Sequence, residues 1–341
     1  MSKKIKIILA ICAVVLLPLL IWTIWGNTAL QLTQYTVSSP ELPAAFDGFR
    51  IAQVSDLHND DMGKPGGKVL AMLRTAQPDI IAITGDLIDS RHTDVSVALA
   101  FAEEAMEIAP CYYVTGNHES RLEEEYVQLK AGLLAVGVVV LENDSVTLER
   151  DGETIRLLGI HDPEFEADYW TLFPEDVMDK NLAALSQREG FRLLLSHRPE
   201  YMDMYAQYGF QLVLTGHAHG GQFRLPWIGG LYAPSQGLFP KYDAGLFQEG
   251  DTQMLVSRGI GSSVFPLRFN NRPELLLITL TQEGTHLCVP RLRNGQVRSL
   301  QKRVIEGATP YTNQKRRNFD GLQRNFRPIF EYTHRFLPGG I

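Results

Sequence analysis

An uncharged run of 19 residues, Ile7 to Trp25, stands near the start of the chain behind Lys3, Lys4 and Lys6. At a rise of about 1.5 Å per residue, a helix of that length spans a hydrocarbon layer of roughly 30 Å. Trp22 and Trp25 sit at its far end, where indole rings favour the membrane interface, and Pro18 predicts a kink. Asn27-Thr28-Ala29 is a poor small-x-small cleavage site, so an uncleaved transmembrane anchor over residues 7–25 is favoured over a signal peptide. No Lys or Arg follows the run until Arg50. The positive-inside bias then puts residues 1–25 in and across the cell membrane, single-pass, with the N-terminus cytoplasmic and the rest extracytoplasmic. Residues 26–48, with Pro40 and Pro43, read as a stalk.

From Phe49 the pattern changes to short apolar runs alternating with helix-like stretches. Ile51–Ser55, Ile80–Thr84, Tyr112–Thr115, Ile155–Ile160, Phe191–Ser196 and Leu212–Thr215 have the length and β-branched content of buried strands. Gly67–Gln77 and Val95–Ile108 have helical spacing. Repeated strand–helix–strand order implies a mainly parallel sheet with crossover helices. The stretch Leu225–Leu280, rich in Gly and Pro and including Met254–Ser257 and Glu274–Leu280, suggests a second sheet and so a layered α/β sandwich.

Composition narrows the classes. Hydrophobic residues are 45% and charged residues 21% of 341, as in an ordinary folded protein. Cys12, Cys111 and Cys288 have no CxxC spacing, which argues against a disulfide framework or a thiolate zinc site. The net charge of −7 is uneven: residues 291–341 carry 11 basic against 3 acidic side chains, and the remainder 21 against 36. No nucleic acid is expected as a partner of an acidic main body. The basic tail could meet anionic lipid or wall polymer, though a solvated tail is the simpler account. The chain carries no signal of oligomeric state.

The chemistry lies at the predicted strand exits. They read Ser55-Asp56-Leu57-His58, Gly85-Asp86-Leu87-Ile88-Asp89, Gly116-Asn117-His118-Glu119, Ser196-His197-Arg198-Pro199 and Gly216-His217-Ala218-His219-Gly220-Gly221. In an open α/β sheet such ends converge on one crevice. Each string alone is ordinary turn chemistry, and a lone His197 is more often structural. Gathered together, so many buried ionisable groups cost several kcal/mol each unless a cation neutralises them. Carboxylate and amide oxygens mixed with imidazoles suit Mn²⁺, Fe or Zn²⁺. Two ions bridged by one carboxylate fit the number of ligands better than one.

In order and spacing, Asp56-x-His58, Gly85-Asp86-x-x-Asp89, Gly116-Asn117-His118-Glu119, His197 and Gly216-His217-x-His219 resemble the signature of the calcineurin-like metallophosphoesterases. The likeness runs from about Phe49 to Thr285, and Ser257–Gly261, Pro266–Arg268 and Arg272–Glu274 resemble its bacterial membrane-anchored or secreted branch. The resemblance implies a four-layer α/β/β/α sandwich over 49–290, with a dinuclear metal site at the strand C-terminal ends. Asp56, His58, Asp86 and His219 would hold one divalent ion, and Asp86, Asn117, His197 and His217 the other, with Mn²⁺ favoured. His118, oriented by Asp89, would be general acid or charge stabiliser while metal-activated hydroxide attacks phosphorus.

The implied activity is phosphodiester or phosphomonoester hydrolysis at the outer face of the cytoplasmic membrane. The alternatives are a UDP-2,3-diacylglucosamine-type pyrophosphohydrolase, whose substrate would be cytoplasmic, and a non-catalytic metal-binding scaffold. Arg258 and Arg268 are candidate phosphate contacts, with structural ion pairs an equal account. Asp162–Asp179, with Tyr169, Trp170 and Phe173, reads as either a lid or a surface loop.

Overall fold

The computed structural model describes residues 2–168, 170–187, 189–262 and 265–282. The tail over 291–341 and Cys288 lie outside the described residues. Cys12 and Cys111 are both free.

Two six-stranded sheets form the body. The first runs β1 (Gln31–Ser39), β16 (Glu274–Gln282), β2 (Arg50–Val54), β3 (Ile80–Thr84), β4 (Cys111–Val114), β5 (Val139–Val140). All its neighbours are parallel except β16 and β2. The second runs β14 (Gly245–Glu249), β15 (Thr252–Val256), β9 (Leu212–Thr215), β8 (Arg192–Leu195), β7 (Glu153–Gly159), β6 (Asp144–Arg150). It is parallel from β15 to β7 and antiparallel at both edges.

The six predicted strands therefore do not share one sheet. The first three stay together, and the last three form the centre of the second sheet with β15, the predicted Met254–Ser257 strand. The expected strand Glu274–Leu280 belongs to the first sheet instead, where its nearly continuous apolar run, Leu-Leu-Leu-Ile-Thr-Leu, is buried on both faces.

Helices α2 (Lys68–Ala76), α3 (Val95–Met106) and α4 (Glu123–Ala135) connect the strands of the first sheet. Their buried faces share a cluster with Ala52, Val54, Ile81 and Ile83, which alternate along β2 and β3. Ile51, Ala82 and Val114 point the other way and meet Leu157, Leu193, Leu195, Leu212 and Leu214 of the second sheet. Leu194 and Val213, from the opposite face of that sheet, join α5 (Pro174–Leu185) and α6 (Met202–Gln207) in a third cluster.

The segment read as a stalk is part of the sheet. β1 pairs with β16 along its whole length, from Gln31 opposite Glu274 to Ser39 opposite Gln282, and Val37 is buried. The predicted apolar helix is present as α1 (Lys3–Thr28), with Leu16, Leu17, Leu20, Ile21 and Trp22 exposed. The side chains of residues 7–11, 13 and 15 are outside the described set, and among the described residues no helix is long and apolar enough to cross a membrane.

Only Ala29 and Leu30 separate α1 from β1. The helix end is tied to the body. Asn27 Nδ2 donates to Arg268 O at 2.8 Å, and Arg268 N donates back to Asn27 Oδ1 at 2.7 Å. Arg272 Nε donates to Ala29 O at 2.7 Å, and its guanidinium lies 4.6 Å from the centre of the Trp25 ring.

Deleting residues 2–28 should leave the body folded, whereas deleting 2–40 should destabilise it. Val37 alone contributes about 2 kcal/mol by burial. Thermal unfolding of the two truncated proteins checks this, and equal midpoints would show that β1 is dispensable.

Candidate metal centre

The exits of β2, β3 and β4 from one sheet, and of β8 and β9 from the other, converge on one buried cluster. Tight turns achieve this, and five of the polar residues adopt left-handed backbone: Asp56 (φ 50°), His58 (47°), Asp86 (51°), His217 (64°) and His219 (47°). Such conformations cost non-glycine residues roughly 1–2 kcal/mol each, so the surroundings must over-determine them. Backbone bonds between the turns do so. Asp56 N donates to Gly85 O, His58 N to Asp86 O, Gly216 N to His197 O and Gly261 N to Asp56 O, all within 2.8–3.1 Å. Gly116 is required for close approach, because a Cβ there would lie 2.2 Å from Asp86 Oδ1.

Glu119 holds two of the turns at once. Its Oε2 accepts from Asp86 N at 3.0 Å and Gly116 N at 2.7 Å, and its Oε1 from Leu87 N at 2.7 Å and Ile88 N at 3.2 Å. Burial and the nearby Asp86 push this carboxyl up to about 7, opposed by the backbone donors.

Besides the trio His58, Asp89 and His118, two sets of ligand atoms come within 4.8 Å of one another: Asp56, His58, Asp86 and His219, and Asp86, His197 and His217. Asp86 is common to both. Its Oδ2 lies 3.2 Å from His197 Nε2 and 3.6 Å from His58 Nε2, one imidazole from each set. His197 Nδ1 lies 2.9 Å from Thr84 O, which can only accept, so Nδ1 carries a proton and Nε2 presents its ring edge to Asp86. Asn117 Oδ1 is buried without a hydrogen-bond partner. An orphaned buried oxygen on the β4 exit, one residue before the His118 N that donates to Asp86 Oδ1, is a group that a second divalent cation would satisfy. The residues present fit a two-cation site.

The electrostatics agree with that fit. Burial holds His58 down at about 3, and burial with the Arg198 charge holds His217 well below its ordinary value. Burial and His58 do the same to His219. These imidazoles are neutral and retain a lone pair. Burial alone would raise Asp86, but His197, His118 and His58 outweigh it and keep the carboxylate ionised. Burial likewise opposes a charge on His197, yet Asp86 and Asp56 push it up to about 10.

His118 stands at the edge of both sets, with Nε2 4.0 Å from Asp86 Oδ2. Ser90 N donates to its Nδ1 at 2.9 Å. A backbone N–H can only donate, so Nδ1 accepts and the ring proton sits on Nε2, facing the site. The expected orienting residue, Asp89, lies against both His58 and His118. Its Oδ1 caps Arg91 N and His92 N at 2.7 and 3.2 Å, and its Oδ2 is 3.5 Å from His58 Nδ1 and 3.8 Å from His118 Nδ1. Ser90 makes the shorter contact to His118.

Arg258 and Arg268, candidates for phosphate contact or structural ion pairing, make structural contacts within the chain. Arg268 is buried, with its terminal nitrogens donating to Arg258 O at 2.7 Å and to Gly261 O. Arg258 Nε lies 3.7 Å from Glu274 Oε2. A second cation at the cluster is Arg198, which sequence reasoning passed over; the first is Arg268, whose Nη2 lies 3.5 Å from His219 Nδ1. Arg198 is buried in a fork to Asp162 at 2.6 and 2.9 Å, bonded to Glu164 at 2.7 Å, and 3.2 Å from His217 Nε2. The predicted lid segment is therefore divided. Asp162 and Glu164 clamp Arg198, Trp170 is exposed, α5 begins at Pro174, and Tyr169 lies outside the described residues.

Residues 49–221 match the family model described as calcineurin-like phosphoesterase. An uncharacterised metallophosphoesterase of Bacillus subtilis, YkuE, is 32% identical over 263 residues, covering 74% of this chain and 85% of its own. The phosphodiesterase YaeI of Escherichia coli is 30% identical over 244 residues, covering 68% and 82%. A UDP-2,3-diacylglucosamine pyrophosphatase, LpxG of Chlamydia trachomatis, is 24% identical over 83% of this chain and 100% of its own.

Glu119→Gln replaces acceptor lone pairs with an amide that confronts backbone donors. It should cost about 1–3 kcal/mol of stability and weaken Mn²⁺ binding at least tenfold. Calorimetric titration and thermal melts check this, and unaltered Mn²⁺ affinity would remove Glu119 from the scaffold of the site. His197 carries a proton up to about pH 10 in the metal-free protein, and a bound cation must displace it. Apparent Mn²⁺ affinity should therefore rise, by up to about tenfold per unit, between pH 7 and 9. A flat profile with no proton release would show that His197 does not take part.

Proposed function

We infer the activity from kinship and geometry together: the chain belongs to the calcineurin-like phosphoesterases and is a hydrolase acting on phosphoric ester bonds. Within that class we read it as a dinuclear phosphodiesterase, anchored by α1 and working at the outer face of the cytoplasmic membrane. The observation that carries the reading is the placement of Asp86 Oδ2 within 3.6 Å of His58 Nε2 and 3.2 Å of His197 Nε2, one imidazole from each ligand set. The three apolar clusters favour an α/β/β/α order of layers around that site.

Asp56, His58, Asp86 and His219 would hold one divalent cation, and Asp86, Asn117, His197 and His217 the other. When bound, such a pair supplies positive charge for the phosphate oxygens and acidifies a water toward neutral pH. The chain itself does the rest. Thr84 O holds the tautomer of His197, and Asp56 accepts from His217 N at 3.1 Å, setting the direction of the last turn. His118, kept neutral by burial, presents Nε2–H toward the site. That arrangement favours His118 as a stabiliser of the charge growing on the leaving oxygen, over a cationic acid whose Nδ1–H would face the Ser90 N–H.

A second reading, pyrophosphate hydrolysis on a UDP-linked acylated sugar, draws on the similarity to LpxG. It requires a cytoplasmic substrate, against the charge bias around α1. A non-catalytic scaffold would not need His118 at the edge of the cluster.

Asp86→Ala should abolish Mn²⁺ binding and hydrolysis of bis-p-nitrophenyl phosphate together. His118→Ala should keep the Mn²⁺ and lose about 10²–10⁴-fold in rate. Metal titration and turnover of the purified variants are the measurements. Normal turnover by a folded Asp86→Ala protein would end the reading.

A further inference from the structure

Beside the metal cluster the chain exposes two apolar tips. The hairpin β10 (Arg224–Leu225) and β11 (Gly229–Gly230) carries Leu225, Pro226, Trp227 and Ile228, with Trp227 fully exposed at 103% and Ile228 at 62%. The loop ahead of Arg268 carries Phe265 at 57% and Leu267 at 53%. Neither tip contains a charged residue, and a lone exposed Leu would mean nothing where two adjoining aromatic tips do. They are joined to each other. Gln222 Nε2 donates to Phe265 O and Leu267 O, both at 2.8 Å, Arg224 N donates to Phe269 O at 3.0 Å, and the Phe223 and Phe265 rings are 5.8 Å apart.

The same loops connect the site to the helix. Gln222 follows the His219–Gly221 turn directly, and Arg268 is bonded on both backbone atoms to Asn27 of α1. With two residues between α1 and β1, and Arg272 over Trp25, nothing lifts the body away from the place where the helix ends. An exposed Trp on a tip joined to the loop that holds Asn27, with the Trp22 and Trp25 rings paired at the end of an apolar helix, is an arrangement that seats a protein in a bilayer interface.

We propose that the Leu225–Ile228 and Phe265–Leu267 tips insert into the bilayer that α1 enters, so that the metal cluster opens at the membrane surface and takes as substrate the phosphodiester headgroup of a membrane lipid. The inference rests on the phosphodiesterase reading for its chemistry and on α1 as anchor for its geometry. In the reaction water adds to phosphorus, one P–O ester bond breaks, and the alcohol departs with a proton, leaving a phosphomonoester.

The test uses the full chain reconstituted in vesicles of phosphatidylethanolamine and phosphatidylglycerol. Trp22→Phe, Trp25→Phe and Trp170→Phe together leave Trp227 as the sole indole of four. Brominated lipid should quench its emission by more than half, without any turnover being needed. Emission left unquenched and open to iodide overturns the docking. Trp227→Ser with Ile228→Ser should slow Mn²⁺-dependent cleavage of vesicle phosphatidylglycerol at least tenfold and leave bis-p-nitrophenyl phosphate within twofold. Equal effects on the two substrates overturn the lipid assignment. Cleavage of neither substrate by the wild-type protein would instead sink the phosphodiesterase reading and the lipid substrate with it, while the quenching still judges the docking.

Discussion

One carboxylate oxygen, Oδ2 of Asp86, faces three imidazoles within 4.0 Å in a region closed to solvent. A lone anion there would be driven to protonate. The imidazoles prevent it, and the anion in turn holds His197 in its charged form when no cation is present. The turns that carry these groups are arranged around that mutual dependence. The Oδ1 of the same residue accepts from His118 N at 2.9 Å, so the histidine at the edge is positioned by the residue at the centre.

Glu119 and Arg198 extend this constraint outward. Glu119 binds the β3 and β4 turns to each other through four backbone donors. Arg198 ties the β8 turn to Asp162 and Glu164 and touches the far nitrogen of His217. Both are buried charges without a direct place in either ligand set. A shell of this kind holds left-handed turns at the ends of strands in register, where strand pairing alone would leave them free.

The ligand strings were legible because each follows a short run of buried, mostly apolar residues whose end is marked by Gly or a polar turn. Ile80–Thr84 and Leu212–Thr215 fall as the pattern indicates. The sheet membership was not legible, since nothing in the local patterns of β4 and β7 tells which sheet each joins. β1 was missed because Gln-Leu-Thr-Gln-Tyr-Thr-Val-Ser-Ser carries the weak alternation of an edge strand, beside prolines that suggest a linker. Glu119 could be seen in the motifs but not its bonds, and Ser90 lay just past one, because a hydrogen bond to the turn of a neighbouring strand has no signature in spacing. Arg268 stayed open between two accounts for the opposite reason: an arginine near a phosphate site and an arginine that braces a loop are the same letter.

The pairing of β1 with β16 has a consequence for how the protein is made. β1 is an edge strand with a single partner, and that partner lies 243 positions further along the chain. During synthesis it emerges immediately behind α1 and must stay unpaired until almost the whole body has followed. Contacts of such separation are slow to close and leave an open strand edge exposed to aggregation in the meantime. Its alternating polar side chains, Gln31, Thr33, Gln34, Thr36 and Ser38, keep that waiting strand wettable.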